Sequence, residues 1–125
     1  MVLVDTSVWV QHFRQNNPYL GHLLSNDLVL CHPFVLLKIA CDSPPSPRQQ
    51  TLAYLGKLQK IKTAATTEVL NFIESHDLYE SGCGAVDISL LASVLITPNA
   101  KLWTLDKKLH ALAVIVGIEF KIEFQ

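Results

Sequence analysis

The sequence lacks a long apolar segment and a recognisable leader. No uninterrupted apolar run reaches the roughly 18 residues that a membrane-spanning helix needs, although 50% of the 125 residues are hydrophobic. The first residues have neither the basic head nor the long apolar stretch of a signal peptide. We therefore expect a soluble protein that lies in the cytoplasm and has no contact with membranes.

The cysteines do not form a pattern that stabilises small folds. Cys31, Cys41 and Cys83 are odd in number, have no CxxC spacing and lie in apolar stretches. Disulfide frameworks and structural zinc sites use even or closely paired cysteines, so neither is indicated and a reducing compartment fits best. Pairs at metal-binding spacing are also missing among the histidines, which are His12, His22, His32, His76 and His110.

An excess of positive charge is missing too. The formal net charge is -1, whereas affinity for nucleic acid grows with the number of phosphates that lysine and arginine neutralise. Any binding of RNA must therefore be local or assisted by a metal ion. Exposed lysines are usually only solvated surface, and this is the default interpretation of the two candidate strips, which are Lys57, Lys60 and Lys62, and Lys101, Lys107 and Lys108.

Short apolar runs alternate with segments of helical spacing along the whole chain. VLVD at 2–5 and KLWTLD at 101–106 each end in an acid and are typical of strands buried on both faces of a parallel sheet. Further strands are expected at 28–30 and 118–120. Such alternation predicts an α/β fold with a central, mainly parallel sheet and helices on both faces. The length and the absence of repeats or linkers predict a single domain over residues 1–125.

Helix signals separate these strands. Thr6 or Ser7 can cap the first helix, Asn17 followed by Pro18 can begin the second, and Pro33 can begin the third. The third helix must end near Asp42, because SPPSP follows it. The remaining helical segments are expected over 47–58, from a cap at Thr66 or Thr67 through His76, over AVDISLLASVLI, and over 107–113.

Three acids are predicted to converge. Asp5 and Asp106 both end strand-like runs, and ligands of open parallel sheets bind beyond the carboxyl ends of the strands. Asp87 lies in an apolar helix, where a charge is unfavourable unless it is paired or binds a metal. Separately, Asp5 and Asp106 can be explained as helix-start residues and Asp87 by the helix dipole. Clustered carboxylates, however, need a cation, and their hard oxygens suit Mg2+ or Mn2+.

Five segments together carry a resemblance to a known family. They are VLVDTSVW, HPFVLLKIACDS, VLNFIESHDL, GCGAVDISLLAS and KLWTLDKKL. Their order and spacing resemble those of the PIN-domain toxins of the VapC type. The resemblance implies a three-layer α/β/α PIN-like domain and an Mg2+- or Mn2+-dependent endoribonuclease toxin of a type II toxin-antitoxin system. It also implies an RNA substrate, a cognate antitoxin and a homodimer.

The resemblance assigns roles by position. It implies that Asp5, Asp87 and Asp106 are catalytic and bind the metal, and that the hydroxyls of Ser7 and Thr104 support these acids. Helix capping or backbone hydrogen bonding would explain the two hydroxyl residues equally well.

One family acid is replaced. Lys38 stands where the pattern has glutamate, so we expect weak binding of Mg2+ and weak cleavage or none. The ammonium could occupy part of the metal's volume, or the flexible stem could carry it to solvent and leave a weakened site. Asp42, one helical turn on, lies too far along the helix axis for simple replacement. Lysine and glutamate codons differ by one base, so Lys38 fits either a selected detoxifying change or natural decay of the site.

Two other functions remain open. The chain could be a non-catalytic toxin homologue that still binds an antitoxin in an apolar groove. A phosphoacceptor domain that uses Asp5 is less attractive, because the lysine expected on a fifth strand is not evident.

Overall fold

Four short parallel strands form the centre of the molecule, in a computed structural model that describes residues 1–122. Their order across the sheet is β3-β2-β1-β4. The pairing of β1 places Leu3 opposite Leu30 on one side and opposite Leu102 on the other. The strands are β1 (Val2–Val4), β2 (Val29–Cys31), β3 (Gln59–Lys60) and β4 (Lys101–Trp103).

Seven helices connect and follow these strands in the described part of the chain. They are α1 (Thr6–Arg14), α2 (Pro18–Ser25), α3 (Pro33–Ala40), α4 (Arg48–Gly56), α5 (Thr66–Ser75), α6 (Ala85–Leu95) and α7 (Lys107–Ile115). The starts of α2 and α3 are explained locally. Pro18 and Pro33 occupy their first turns, and the side chains of Asn17 and His32 accept backbone N–H bonds there.

The helices form two layers around the sheet. Helix α3 contacts α1 and α4, whereas α6 contacts α5, α7 and β4. Right-handed crossovers explain this division, because the chain moves across the sheet in one direction from β1 to β3 and returns in the other to β4. Val2, Leu3 and Val4 are buried between the layers. The predicted three-layer α/β/α fold is confirmed.

Several local predictions were wrong or incomplete. The N-cap of α1 is Asp5, not Thr6 or Ser7, and its side chain makes no capping bond. The N-cap of α5 is Ala65, whose N–H donates to Glu68 Oε1 at 2.9 Å, so a glutamate in the first turn replaces the expected threonine cap. Strand β3 was not anticipated. The last predicted strand is reduced to one isolated bridge between Leu102 and Glu119.

The helices of the described part of the chain are short, between eight and eleven residues. Among residues 1–122, no helix combines the length and the apolar character that crossing a bilayer requires.

Candidate active site

Two of the predicted acids lie beside each other at the carboxyl edge of the sheet. Asp5 directly follows β1, and Asp106 follows β4, the parallel neighbour of β1. The backbone N–H of Asp5 donates to the carbonyl of Trp103 at 2.9 Å, so the chain leaving β1 is joined to the end of β4. The sheet thus brings together residues that are 101 positions apart in the sequence.

Two hydroxyl groups hold the side chain of Asp5. Ser7 Oγ donates to Asp5 Oδ2 at 2.8 Å, and Thr104 Oγ1 donates to the same oxygen at 2.7 Å. Each hydroxyl oxygen also accepts a backbone N–H from the segment after β4: Ser7 from Leu105 at 3.0 Å, and Thr104 from Asp106 at 3.1 Å. Both hydroxyls are therefore fixed at two points, and together they set the orientation of the carboxylate.

The second oxygen of Asp5 has no such partner. Asp5 is 4% exposed, and its Oδ1 is buried without a hydrogen-bond partner among the described residues. Buried carboxylate oxygens are normally paired or bound to a cation. Since the side chain does not cap α1, simple helix capping does not explain this acid.

The charges of the other two acids act on Asp87. It lies half-buried in the first turn of α6. Burial raises the pKa of its carboxyl group, and the nearby charges of Asp5 and Asp106 raise that pKa further, while Lys38 lowers it. Asp5 and Asp106 are thus near enough for their charges to act on Asp87.

Asp106 has a structural task as well. It is exposed and is the N-cap of α7, where its Oδ1 accepts the N–H of Leu109 at 2.9 Å. The prediction that Asp106 is an ordinary helix-start residue is therefore correct for its Oδ1. It still contributes negative charge at Asp87, so the capping role and membership of the acidic cluster coexist.

Lys38 lies at the border of this cluster. It is an exposed residue of α3 that lowers the pKa of Asp87. No carboxylate in residues 1–122 comes within 4.0 Å of its Nζ, so its ammonium acts through space and forms no ion pair. Asp42 lies beyond the end of α3 and accepts the N–H of Ser43 at 2.9 Å. Asp42 is not among the charges that act on Asp87.

The residues fit a hard divalent cation in charge and donor type. The unpartnered Asp5 Oδ1 and the mutual repulsion at Asp87 are features that a cation would relieve. Within the described residues, however, no group of three or more His, Cys, Asp or Glu side chains forms a closed ligand set. A cation here would rely on Asp5 and Asp87, with Asp106 contributing directly or through water.

Two residues that the sequence did not assign to the acidic site also lie close to it. Cys83, partly buried before α6, has its pKa raised by burial and by the charges of Asp87 and Asp106, while Lys108 lowers it. Both are recognisable in hindsight. Cys83 lies in the Gly82-to-Gly84 loop that leads to Asp87, and Lys108 follows Asp106 by two positions.

This combination of a parallel sheet between two helical layers and an acidic cluster at its carboxyl edge defines a PIN-like domain. No family model matches the chain. The chain is 39% identical over 118 residues to proteins named Ribonuclease VapC32 from two strains of Mycobacterium tuberculosis, CDC 1551 / Oshkosh and ATCC 25618 / H37Rv. The match covers 94% of this chain and 94% of each relative. The chain therefore belongs to the VapC family of PIN-domain ribonuclease toxins.

Proposed function

We propose that this protein is an Mg2+-dependent endoribonuclease toxin of a type II toxin-antitoxin system, and that Lys38 impairs its activity. The observation that carries the proposal is the state of Asp5. Ser7 and Thr104 hold one oxygen, and the other is buried with no hydrogen-bond partner among the described residues. The relatives named as ribonucleases support the same reaction.

The acids provide the place for the cation. Asp5 and Asp87 are the principal ligands for Mg2+ or Mn2+, and Asp106 contributes directly or through water. The cation, when bound, would activate water for attack on phosphorus and stabilise negative charge on the non-bridging and leaving oxygens. Ser7 and Thr104 keep Asp5 in one orientation, because both hydroxyls are also held by the backbone after β4.

Lys38 weakens this site by charge. Its ammonium lowers the pKa of Asp87. It therefore already offsets part of the negative charge that would otherwise attract a divalent cation. A glutamate at the same position would add a hard oxygen donor and restore the negative charge. The substitution thus changes the charge at the border of the site by two units.

Cleavage of single-stranded RNA tests the proposal. The unaltered chain and the Lys38→Glu variant are compared in Mg2+ and in EDTA, and Lys62→Glu, at another exposed lysine, is the matched charge reversal. We expect Lys38→Glu to raise cleavage in Mg2+ by about tenfold or more, and Lys62→Glu to leave it unchanged. Equal cleavage by the unaltered chain and Lys38→Glu rules out a deficit caused by Lys38. Cleavage that persists in EDTA contradicts the metal dependence.

A second candidate function is capture of an antitoxin without catalysis. A groove of about 360 Å³ lies between α3, α5 and α6, and Phe34 and Leu70, which line it, are 38% and 57% exposed. Apolar grooves of this kind accept an amphipathic segment of a partner. Binding of a co-encoded small protein by a chain that stays inactive after Lys38→Glu favours this function over the nuclease.

The oligomeric state is also part of the proposal. We expect a homodimer, because exposed apolar side chains on helices often form symmetric interfaces. We also expect the protein to lie in the cytoplasm. Light scattering of the purified chain tests the homodimer directly. A mass equal to that of one chain at all concentrations contradicts the dimer.

A further inference from the structure

Lys108 lies across the loop that leads into the acidic site. A Cβ built on Gly82 would be 3.1 Å from Cδ and 3.2 Å from Nζ of Lys108. Gly82 also has a φ of +86°, a conformation that glycine adopts readily. The absence of a side chain at position 82 therefore leaves room for the stem and the ammonium of Lys108 beside the loop that leads to Asp87.

The charge of Lys108 acts on the thiol of Cys83 in the loop that precedes α6. The same thiol, that of Cys83, experiences the fields of Asp87, Asp106 and Lys108. Yet no carboxylate of residues 1–122 lies within ion-pair distance, 4.0 Å, of the Lys108 ammonium. The side chain is thus an exposed cation next to an acidic cluster, available for an external anion.

The position of Lys108 is unfavourable for its own helix. It is the second residue of α7, and the positive end of a helix dipole repels a cation in the first turn. Helix stability therefore does not explain this lysine. The Asp106 cap, which precedes it, already supplies the negative charge that suits a helix start.

We infer that Lys108 binds a phosphate of the RNA backbone next to the bond that the acidic site cleaves. Three carboxylates repel a polyanion, and the net charge of -1 provides no general attraction. A cation at the border of the site would draw one phosphate towards it and so set the position of the strand. This inference rests on the proposed function and adds a substrate contact to it.

The other two lysines of the predicted strip are less suited to this role. Lys101 begins β4, at the opposite end of the strand from the acids, and its Nζ donates to Gly117 O at 3.2 Å. The predicted strip of Lys101, Lys107 and Lys108 is therefore divided between the two ends of β4. Lys107 precedes Lys108 on α7 and is exposed, but it does not affect the pKa of Cys83. Lys107 is accordingly the matched control.

Binding of a fluorescently labelled single-stranded RNA, in EDTA so that it stays intact, tests the inference over a range of salt concentrations. One phosphate contact contributes about 0.7 to the slope of log affinity against log salt, which corresponds to about eightfold between roughly 1 M and 50 mM salt. We expect Lys108→Gln to lose about this factor at the lower salt and to reduce the slope by about 0.7. Lys108→Arg should keep both, and Lys107→Gln should change affinity less than about twofold.

A second readout distinguishes binding from a general disturbance. In the Lys38→Glu background with Mg2+, Lys108→Gln should raise KM and leave kcat nearly unchanged. The inference is overturned if the unaltered chain binds RNA and both Lys108→Gln and Lys107→Gln lose the same affinity. It is also overturned if neither variant loses affinity. Both results leave the nuclease proposal standing. Absence of RNA binding by the unaltered chain, together with absence of cleavage by Lys38→Glu, overturns both.

Discussion

The hydroxyl of Thr104 can be removed with little change in side-chain volume, by Thr104→Val. The residue is 6% exposed. Its Oγ1 donates to Asp5 Oδ2 at 2.7 Å and accepts the N–H of Asp106 at 3.1 Å. The substitution therefore deletes a hydrogen bond to a carboxylate and leaves a backbone N–H without its acceptor, while Ser7 keeps its own bond to Asp5.

The expected loss follows from these two contacts. Hydrogen bonds to charged groups contribute about 1.5–3 kcal/mol, and neutral ones about 1 kcal/mol. Because the Asp106 N–H can be hydrated after the change, we expect the free energy of unfolding to fall by about 2 kcal/mol. With a urea m-value of about 2 kcal/mol/M, the midpoint of urea denaturation shifts down by about 1 M.

Thr6 provides the matched control. Its Oγ1 is buried and has no hydrogen-bond partner in residues 1–122, so Thr6→Val removes an unsatisfied polar atom and should be neutral or stabilising. Urea denaturation of both variants, followed by circular dichroism, gives the comparison. A loss in Thr104→Val that does not exceed that in Thr6→Val contradicts the hydrogen-bond network around Asp5.

Three further outcomes are expected from the charges of the site and the core. Asp87→Asn should stabilise the metal-free chain at neutral pH. Because the pKa of Asp87 is raised, the free energy of unfolding should fall as the pH rises above 3.8. Urea midpoints measured at several pH values should show this decrease in the unaltered chain and a smaller decrease in Asp87→Asn. Lys38→Glu adds a negative charge beside the acids, so it should lower the melting temperature in EDTA by about 4 °C. Added Mg2+ should restore the melting temperature of this variant and should not raise that of Lys62→Glu. Burial lowers the pKa of His32 from 6.5, so stability should decline as the pH falls below 6.5. His32→Asn keeps an acceptor for the α3 cap and should weaken that decline; an unchanged pH profile contradicts the role of His32.

The central sheet could be predicted because its inner strands carry a strong signal. Val2, Leu3 and Val4 are buried on both sides of β1. Strands buried on both faces have continuous apolar sequences, which are easy to recognise. Strand β3 could not be found in this way. Gln59 and Lys60 are both exposed at the edge of the sheet, so nothing in their polarity distinguishes them from a loop.

The convergence of the acids was predictable, but their individual environments were not. The end of a strand and the parallel topology suffice to place Asp5 near Asp106. Which oxygen of Asp5 is held depends on the side-chain directions of Ser7 and Thr104, and the capping bond of Asp106 depends on where α7 begins. These are consequences of tertiary packing. Lys108 was likewise assigned to a general basic strip, because its proximity to Gly82 appears only after folding.

The most direct test of the acidic cluster is a titration with Mn2+, with the free ion followed by electron paramagnetic resonance. The Lys38→Glu variant is compared with the Lys38→Glu, Asp5→Asn double variant. We expect one Mn2+ per chain in the first, and affinity weakened by about tenfold or more in the second, because Asp5 Oδ1 is a buried carboxylate oxygen with no hydrogen-bond partner among residues 1–122. Equal affinity in the two variants would contradict a divalent-cation site built on Asp5.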